Sequence, residues 1–406
     1  MSSLVRWFFV PLAFVAVGCE SQAGPELSVD LGMSEADAMA PEDASDAGPV
    51  GLDLTHPDSG SEADDLGRLD SAVMVDAGDA STSTVPDAGS TDAGATDLGP
   101  APIALRVVTF NTGTTGGARH DLPPDDGYGS AQASICDQYY GNGLSWVPVM
   151  NDTRDFLARI DPDVIVFQEI FHPEECVNIP PSAQTGFYCE GWTPGEPTVA
   201  QYVLGPNWQV MCNLGKPDKC AAVHQRVGRF QGCAQDFCIE GMAGGTVPNC
   251  GGGSRVGRGV IDLIDGRTVT LVNFHGSSGV TSSDQQCRER QIEQVFVDLG
   301  DGQPGANGTR NLVMGDLNAD PVRQALIDSS ARRWGDFVGD TLPFHFISDV
   351  GRNAAPTYAS FFNIDHVISD VFEGRCFVPG VTQGEPEVSS ITFFDHKPIV
   401  CDVEAD

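Results

Sequence analysis

Short runs of apolar residues, each ending in a polar residue, recur through the C-terminal three quarters of the chain. Residues 105–111 and 163–169 are rich in β-branched and aromatic side chains, which is typical of buried strands. The two runs end in Asn111 and Glu169. The same pattern predicts further strands at residues 259–264, 269–274, 311–314, 364–369 and 398–403.

Two segments have the periodicity of amphipathic helices. Residues 153–160 form a short apolar face that stops before Asp161-Pro162, and residues 284–299 place Ile292, Val295 and Leu299 on one side. The Gly-, Asp- and Pro-rich residues 112–143 carry no such period and are predicted to be irregular.

The order of these elements indicates the fold class. Strands and helices alternate unevenly, and the Asp265-Gly266 turn joins two strands as a hairpin. Hairpins mixed with crossovers favour an α+β protein in which two sheets form a sandwich with helices outside.

The first 19 residues have the pattern of a secretory signal. Arg6 precedes an apolar run at residues 7–17, which is too short to span a bilayer comfortably. Residues 16–19 resemble a bacterial lipobox, which predicts that Cys19 becomes a lipidated N-terminus held at a membrane of the bacterial cell envelope. Simple cleavage and release is the alternative. Both outcomes place the mature protein outside the cytoplasm.

Residues 20–101 differ in composition from everything that follows. Nineteen of the 57 acidic residues lie there against a single basic residue, Arg68, and aromatic residues are absent. Such a segment buries too little apolar surface to offset its chain entropy, and its like charges extend it. We expect a disordered acidic tether.

Residues 102–406 are long enough for one catalytic domain with a large core. They hold 38 acidic and 20 basic residues, a formal charge near −18. This balance disfavours a broad, sequence-independent grip on nucleic acid, although bound cations and a few arginines can still supply local positive charge.

Cysteine usage agrees with export. Eleven of the 12 cysteines follow Cys19, and seven lie between Cys176 and Cys250. This density predicts disulfides and marks residues 171–255 as a cross-linked, Cys-rich insertion, while the odd number leaves one thiol free or the framework incomplete.

The chemistry is concentrated in two short motifs. Gly315-Asp316-Leu317-Asn318 follows a predicted strand, and Asp395-His396-Lys397-Pro398 precedes another. An Asp/Asn pair can hold a hard cation and a phosphate, and an Asp-supported His can activate water. Together they predict metal-assisted hydrolysis of a phosphate ester.

Six such motifs, taken in order, resemble the endonuclease/exonuclease/phosphatase superfamily of metal-dependent phosphoesterases. Each lies at a predicted strand end, and together they cover most of residues 103–404. They are Thr109-Phe110-Asn111, Phe167-Gln168-Glu169-Ile170, Asn273-Phe274-His275, Gly315-Asp316-Leu317-Asn318, Ile364-Asp365-His366 and Asp395-His396-Lys397-Pro398. The resemblance implies a four-layered α/β sandwich with one site where loops of the two sheets converge.

The resemblance also implies a metal site. Glu169 matches the main metal-ligating carboxylate, Asn111 a ligand or a group just outside the ligands, and Asp395 an additional contact. Mg²⁺ is the expected ion, with Mn²⁺ or Ca²⁺ as alternatives, because a sparse oxygen site leaves room for water and substrate phosphate.

The remaining roles concern water and phosphate. His396 matches the general base, oriented by Asp365 or Asp395. His275 matches the donor to a nonbridging phosphate oxygen. Asp316 and Asn318 match the pair that orients water and phosphate, whereas His366 is interpreted as structural.

The sequence resembles two branches of this superfamily, and the two branches act on different substrates. Gln168-Glu169-Ile170-Phe171 and Arg258-Gly259-Val260 resemble bacterial sphingomyelinases, in which Cys287 would pair back to the region of Cys233–Cys250. His275-Gly276-Ser277-Ser278 is closer to secreted deoxyribonucleases.

The substrate is therefore predicted to be a phosphodiester, with a slight preference for a phospholipid head group over nucleic acid. A phosphomonoesterase and a noncatalytic surface-display protein remain as alternatives. No obligate protein partner is evident.

Overall fold

The computed structural model describes residues 101–113, 129–213, 215–239, 241–358, 361–379 and 394–406. The predicted signal, the lipidated Cys19 and the acidic tether at residues 20–101 lie outside these described residues.

Strands make up most of the regular structure. In chain order they are β1 (Ile103–Asn111), β2 (Val164–Gln168), β3 (Trp208–Asn213), β4 (Lys216–His224), β5 (Gly228–Phe230), β6 (Phe237–Cys238), β7 (Val256–Leu263), β8 (Thr268–His275), β9 (Asn311–Asp316), β10 (His345–Phe346), β11 (Asp365–Ser369), β12 (Glu373–Phe377) and β13 (Ile399–Ala405).

The helices are fewer and mostly short. They are α1 (Gly129–Tyr139), α2 (Val147–Ile160), α3 (Val199–Leu204), α4 (Ser282–Phe296) and α5 (Ser329–Trp334), with two 3₁₀ turns at Pro173–Asn178 and Pro181–Ala183. None of the helices among the described residues is long and apolar enough to cross a membrane.

Local chemistry explains where the longer helices begin and end. Thr281 begins α4 with a capping box, in which Thr281 and Asp284 satisfy each other's backbone N–H groups. Helix α2 has a proline in its first turn and ends at Asp161, which adopts the left-handed conformation with φ 50°.

The strands form two mixed sheets. The seven-stranded sheet has the order β12-β13-β1-β2-β4-β3-β6, and the six-stranded sheet has the order β10-β11-β9-β8-β7-β5. Each has a parallel pair near its middle, β1 with β2 and β8 with β9, flanked on both sides by antiparallel neighbours. Because paired parallel strands end at the same edge, each pair delivers two chain ends to one place.

Apolar residues form three layers of core. One layer lies between the sheets and includes Val107, Val166 and Leu271. A second packs α1, α2 and α3 on the seven-stranded sheet, and a third packs α4 and Trp334 of α5 on the six-stranded sheet. The predicted α+β sandwich of two mixed sheets flanked by helices is confirmed.

Two local expectations differ from the structure. Part of residues 112–143, predicted to be irregular, forms α1, whose Ala133 and Cys136 are fully buried against the sheet. The segment at residues 171–255 is only partly an insertion, since its strands β3 and β4 extend the seven-stranded sheet. Tertiary packing stabilises these elements despite weak local periodicity.

Among the cysteines of the described residues, ten form disulfides and the buried Cys136 is free. The pairs are Cys176–Cys189, Cys212–Cys220, Cys233–Cys238, Cys250–Cys287 and Cys376–Cys401. The predicted use of disulfides and the pairing of Cys287 back to residues 233–250 are therefore confirmed.

Candidate active site

The two parallel pairs and their neighbours bring the motif residues to one edge of the sandwich. The seven-stranded sheet contributes Asn111 at the end of β1, Glu169 just after β2 and His396 just before β13. The six-stranded sheet contributes His275, Asp316 and Asp365, and register places Asp316 opposite both His275 and Asp365. Together with Asn318 and Asp395, all of the predicted catalytic and metal-site residues lie at this edge.

His396 is held by a buried carboxylate. Its Nδ1 lies 2.9 Å from Oδ2 of Asp365, and the Tyr358 ring is centred 4.8 Å from the imidazole. Both members of the pair are nearly inaccessible to solvent. This contact fixes the ring orientation and leaves Nε2 directed into the site.

Carboxylates and the Asn111 amide surround the second ring nitrogen of His396, with Asn111 Nδ2 3.4 Å from Nε2. Its Nε2 lies 3.7 Å from Asp316 Oδ2 and 4.0 Å from Asp395 Oδ1. Burial opposes a charge on the ring, but Asp365, Asp316 and Asp395 together raise the pKa of His396 well above 6.5. These carboxylates therefore favour the protonated ring, and a cation among them would oppose that charge and leave Nε2 able to accept a proton.

Asp316 is fully buried and held by three amide donors. It accepts hydrogen bonds from the Asn318 backbone N–H at 2.7 Å, from Asn318 Nδ2 at 2.9 Å and from Asn111 Nδ2 at 3.0 Å. Burial nevertheless raises its pKa to about 7. Gly315 before it has φ 148°, and any side chain there would meet the Phe274 carbonyl of the neighbouring strand.

Glu169 occupies a strained position at the end of β2. Its φ of 57° is unusual for a non-glycine residue and turns the side chain toward His275. Burial would raise the pKa of Glu169. The hydrogen bond from His275 and the positive charge on His396 lower it instead, to about 2. Glu169 is thus an anion at every physiological pH.

His275 complements that anion. Its Nε2 lies 3.3 Å from Glu169 Oε1, and burial lowers the pKa of the ring to about 4. A neutral ring that donates from Nε2 leaves Nδ1 as an acceptor, and Nδ1 is buried with no partner among the described residues.

Asn111 bridges the two sheets. Its Nδ2 lies within hydrogen-bond reach of Asp316 and of Glu169, at 3.0 and 3.3 Å, and its Oδ1 accepts the Gly113 N–H. In this orientation the amide positions the carboxylates. A direct bond from Asn111 to a metal stays a prediction.

The donor set suits a hard divalent cation. Glu169 is ionised, and Asp395 Oδ1 is buried without a partner among the described residues. Asp316, Asp365 and His396 also lie within 4.8 Å of one another, but an ion held by Asp365 Oδ2 and His396 Nδ1 would displace their hydrogen bond. Glu169 and Asp395 both line the cavity above the site, and a cation held there would not cause that loss.

A cavity of about 360 Å³ opens over these residues. Besides the motif residues it is lined by Lys216, Arg255 and Tyr358, none of which was singled out from the sequence. Lys216 and the buried Lys219 both contact Asp218, at 2.7 and 2.9 Å. The sequence offered one signal for this part of the lining: Lys216 and Lys219 lie on either side of Asp218 at the start of a buried strand.

A polar contact beneath the site was also missed. Gln168 Nε2 donates to Asn273 Oδ1 at 2.7 Å, and Asn273 Nδ2 donates to the carbonyls of Phe167 and Cys220. This buried amide pair joins the two sheets directly below the catalytic side chains, and both amides belong to motifs quoted above.

No family model and no curated protein matches the chain. Among solved structures, it is similar to ANGEL2, described as a 2',3'-cyclic phosphatase, at 12% identity and TM-score 0.44, over 75% of this chain and 96% of that one.

It is also similar to an endonuclease/exonuclease/phosphatase from Beutenbergia cavernae, at 16% identity and TM-score 0.42, over 74% of this chain and 72% of that one. A humanized D. rerio TDP2 is similar at 13% identity and TM-score 0.43, over 74% and 98%. At such low sequence identity, the similarity to these structures concerns the fold alone.

In the order of its motifs and in the two-sheet sandwich that carries them, the chain resembles the endonuclease/exonuclease/phosphatase superfamily.

Proposed function

We propose that the protein is a divalent-metal-dependent phosphodiesterase in which His396 activates the attacking water. The observation that carries this proposal is the buried pair of Asp365 and His396, with Nε2 of the ring directed into a cavity lined by acidic and amide groups. Water gives a proton to Nε2 as its oxygen bonds to phosphorus and the bond from phosphorus to the leaving ester oxygen breaks. The departing alkoxide takes up a proton from solvent water, and Asp365 stabilises the imidazolium that forms.

The other residues act on charge and position. A divalent cation held by Glu169 and Asp395, Mg²⁺ in our proposal, would offset the surrounding carboxylates and polarise a phosphate oxygen. Asn318 keeps Asp316 in place with two hydrogen bonds. His275 Nε2 lies 3.3 Å from Glu169 Oε1, and with Glu169 engaged by the cation the His275 N–H would be released to donate to a nonbridging oxygen in the transition state.

A phospholipid head group is the substrate that the surface around the site favours. Three segments each supply one residue to the cavity lining and expose apolar side chains within nine residues further along the chain: Ser278 precedes Val280, Asn318 precedes Leu326 and Ile327, and Tyr358 precedes Phe361. Leu326 is 90% exposed and Val280 81% exposed. Apolar side chains on the segments that line a site suit a substrate presented by a lipid surface.

Our proposal for the cellular location of the protein rests on the sequence alone. The signal-like residues 1–19 and the lipobox-like residues 16–19 support export and anchoring through a lipid on Cys19. Residues 20–101 would then act as a tether that lifts the catalytic domain off its own membrane.

The test is the release of phosphocholine from sphingomyelin vesicles by the full chain in Mg²⁺. We expect release that stops with chelator and falls by at least about a thousandfold in His396→Ala and in Glu169→Ala. Circular dichroism of both variants controls for the fold.

Each other outcome has a distinct meaning. No release by the folded protein, with Mg²⁺-dependent cleavage of duplex DNA instead, would replace the lipid substrate with nucleic acid. Turnover close to that of the wild type in His396→Ala would remove the general base from the proposal. Specific ligand binding with no turnover of any phosphate ester would favour a surface-display protein.

A further inference from the structure

A second cavity, of about 450 Å³, adjoins the catalytic cavity. The two share Gly141, Glu169, Lys216 and Asp218 as lining residues. A substrate whose phosphate lies beside Glu169 can therefore extend one ester group into this second space without leaving the protein. We call it the aromatic cavity, after the residues that form its walls.

The aromatic walls are set before any ligand arrives. Tyr140 and Phe171 meet edge to face, with ring centroids 4.9 Å apart and planes at 68°. Tyr140 also stacks on Phe187, and its hydroxyl donates to the Ala183 carbonyl. The half-buried Tyr139 adds a third ring to the lining. Rings held at a fixed angle form a corner that a rounded cation can occupy.

The charges that line the aromatic cavity are mostly negative. Glu169, Glu175 and Asp218 line it with Lys216, and both Lys216 and the buried Lys219 contact Asp218, at 2.7 and 2.9 Å. Because Glu169 would hold the proposed metal, Glu175 is the acid left for an organic cation. His172 adds no positive charge at neutral pH, because burial lowers its pKa. A second phosphate in this space would meet carboxylates, whereas an organic cation would meet both carboxylates and aromatic rings.

The segment that carries Glu175 is fixed by a covalent bond. Glu175 lies in the 3₁₀ turn Pro173–Asn178, which the Cys176–Cys189 disulfide ties to the chain just beyond Phe187. Asn178 Nδ2 donates to Glu175 Oε2 at 2.9 Å and further restrains the carboxylate. The acidic edge and the aromatic walls therefore belong to one braced unit.

We propose that the aromatic cavity binds the quaternary ammonium group of a choline-type phosphodiester whose phosphate occupies the catalytic cavity. This inference rests on the proposed phosphodiesterase function and adds the site that selects the ester group. Tyr139, Phe171 and Glu175 are the specificity-determining residues.

Three soluble substrates with the same leaving group test this inference: the p-nitrophenyl phosphodiesters of choline, of neohexanol and of ethanol. The neohexyl ester has the shape of the choline ester but a tert-butyl group in place of the trimethylammonium group. With the full chain in Mg²⁺ we expect kcat/KM for the choline ester to exceed that for the neohexyl ester about tenfold.

Two variants assign that preference to the aromatic cavity. Glu175→Gln and Tyr139→Leu should each reduce the choline preference to about threefold or less, while turnover of the ethyl ester stays within about twofold of the wild type. Glu174→Gln is the matched control: Glu174 is an exposed acid in the same turn, it does not line the cavity, and its loss should leave the preference unchanged.

The possible outcomes distinguish failure of this inference from failure of the proposed phosphodiesterase function. Equal hydrolysis of the choline and neohexyl esters, with metal-dependent turnover that His396→Ala abolishes, would overturn the aromatic cavity as a cation site and leave the phosphodiesterase standing. A preference that Glu174→Gln lowers as much as Glu175→Gln would also overturn it. No hydrolysis of any of the three esters by the folded protein would remove both.

Discussion

The two ends of the sandwich treat their polar groups in opposite ways. At the end opposite the site, Arg226 donates to Asp161 and Asp163 at 2.7 and 2.9 Å and to two backbone carbonyls. At the site end, His275 Nδ1, Asp365 Oδ1 and Asp395 Oδ1 are buried, and none has a partner among the described residues.

This difference separates polar groups that stabilise the fold from polar groups that we propose to bind a ligand. A buried polar atom without a hydrogen bond costs about 1–3 kcal/mol, so a fold retains several in one place only where something else compensates. At the site end a cation and bound water are the groups that we propose to complete these three acceptors. At the opposite end the chain itself supplies every partner of Arg226.

The strongest way to break the comparison is to alter Asp365 without changing its shape. Asp365→Asn cannot stabilise an imidazolium and favours the wrong tautomer of His396, so kcat should fall by about 10²–10⁴ with the fold retained. Steady-state kinetics on a soluble phosphodiester measure this effect. The exposed Asp349 provides a control, since Asp349→Asn should leave kcat unchanged. A kcat within threefold of the wild type would show that Asp365 is not the orienting group.

His366 sharpens the comparison because it is the next residue along β11 yet is fully satisfied. Ser348 Oγ lies 2.9 Å from its Nδ1 and the Asn363 carbonyl 3.0 Å from its Nε2, and burial lowers its pKa to about 4. Between pH 6.5 and 4 the unfolded chain takes up a proton at this position and the folded chain does not. The wild type therefore loses stability over that window through His366.

His366→Gln lacks this titration. The difference in unfolding free energy between the wild type and His366→Gln should narrow by about 3 kcal/mol as the pH falls from 7.5 to 4. Urea denaturation at several pH values measures it, and the other titrating groups cancel in the difference. A constant difference would mean that His366 takes up a proton in the folded state as readily as in the unfolded state.

Arg226→Met tests the opposite end. Loss of the contacts to Asp161 and Asp163 should lower the unfolding free energy by about 1–2 kcal/mol, a modest value because the arginine side chain is 37% exposed. The kcat should not change, because the arginine lies at the far ends of the strands. A drop in kcat without a drop in stability would show that the two ends are coupled.

The smallest effect is expected from the acidic segment. Deleting residues 20–101 should change kcat/KM on a soluble phosphodiester by less than about twofold, because a tether contributes no group to the reaction. A large loss would give residues 20–101 a role in the catalytic domain itself.

The candidate site residues that the structure brings to one edge were recognisable from the sequence because their signal is local. Asn111, Glu169, His275 and Asp316 each follow a run of apolar residues, and the ends of buried strands are readable from such runs. Helix α1 was missed, since its helical state depends on packing against the seven-stranded sheet. Strands β3 and β4 were also missed, because Cys, Gly and Pro residues around them obscure the apolar pattern and because these strands too depend on packing in the sheet.

The chain by itself determined the order of the motifs, the residue types at the strand ends and the cysteines available for pairing. Only the tertiary structure decided that Asp365, and not Asp395, lies within hydrogen-bond distance of His396 Nδ1, at 2.9 Å. It alone placed the aromatic cavity beside Glu169 and left His275 Nδ1 unpartnered among the described residues. The reason is physical: spacing along a chain specifies which side chains lie on one strand, whereas distances between strands follow from how two sheets pack.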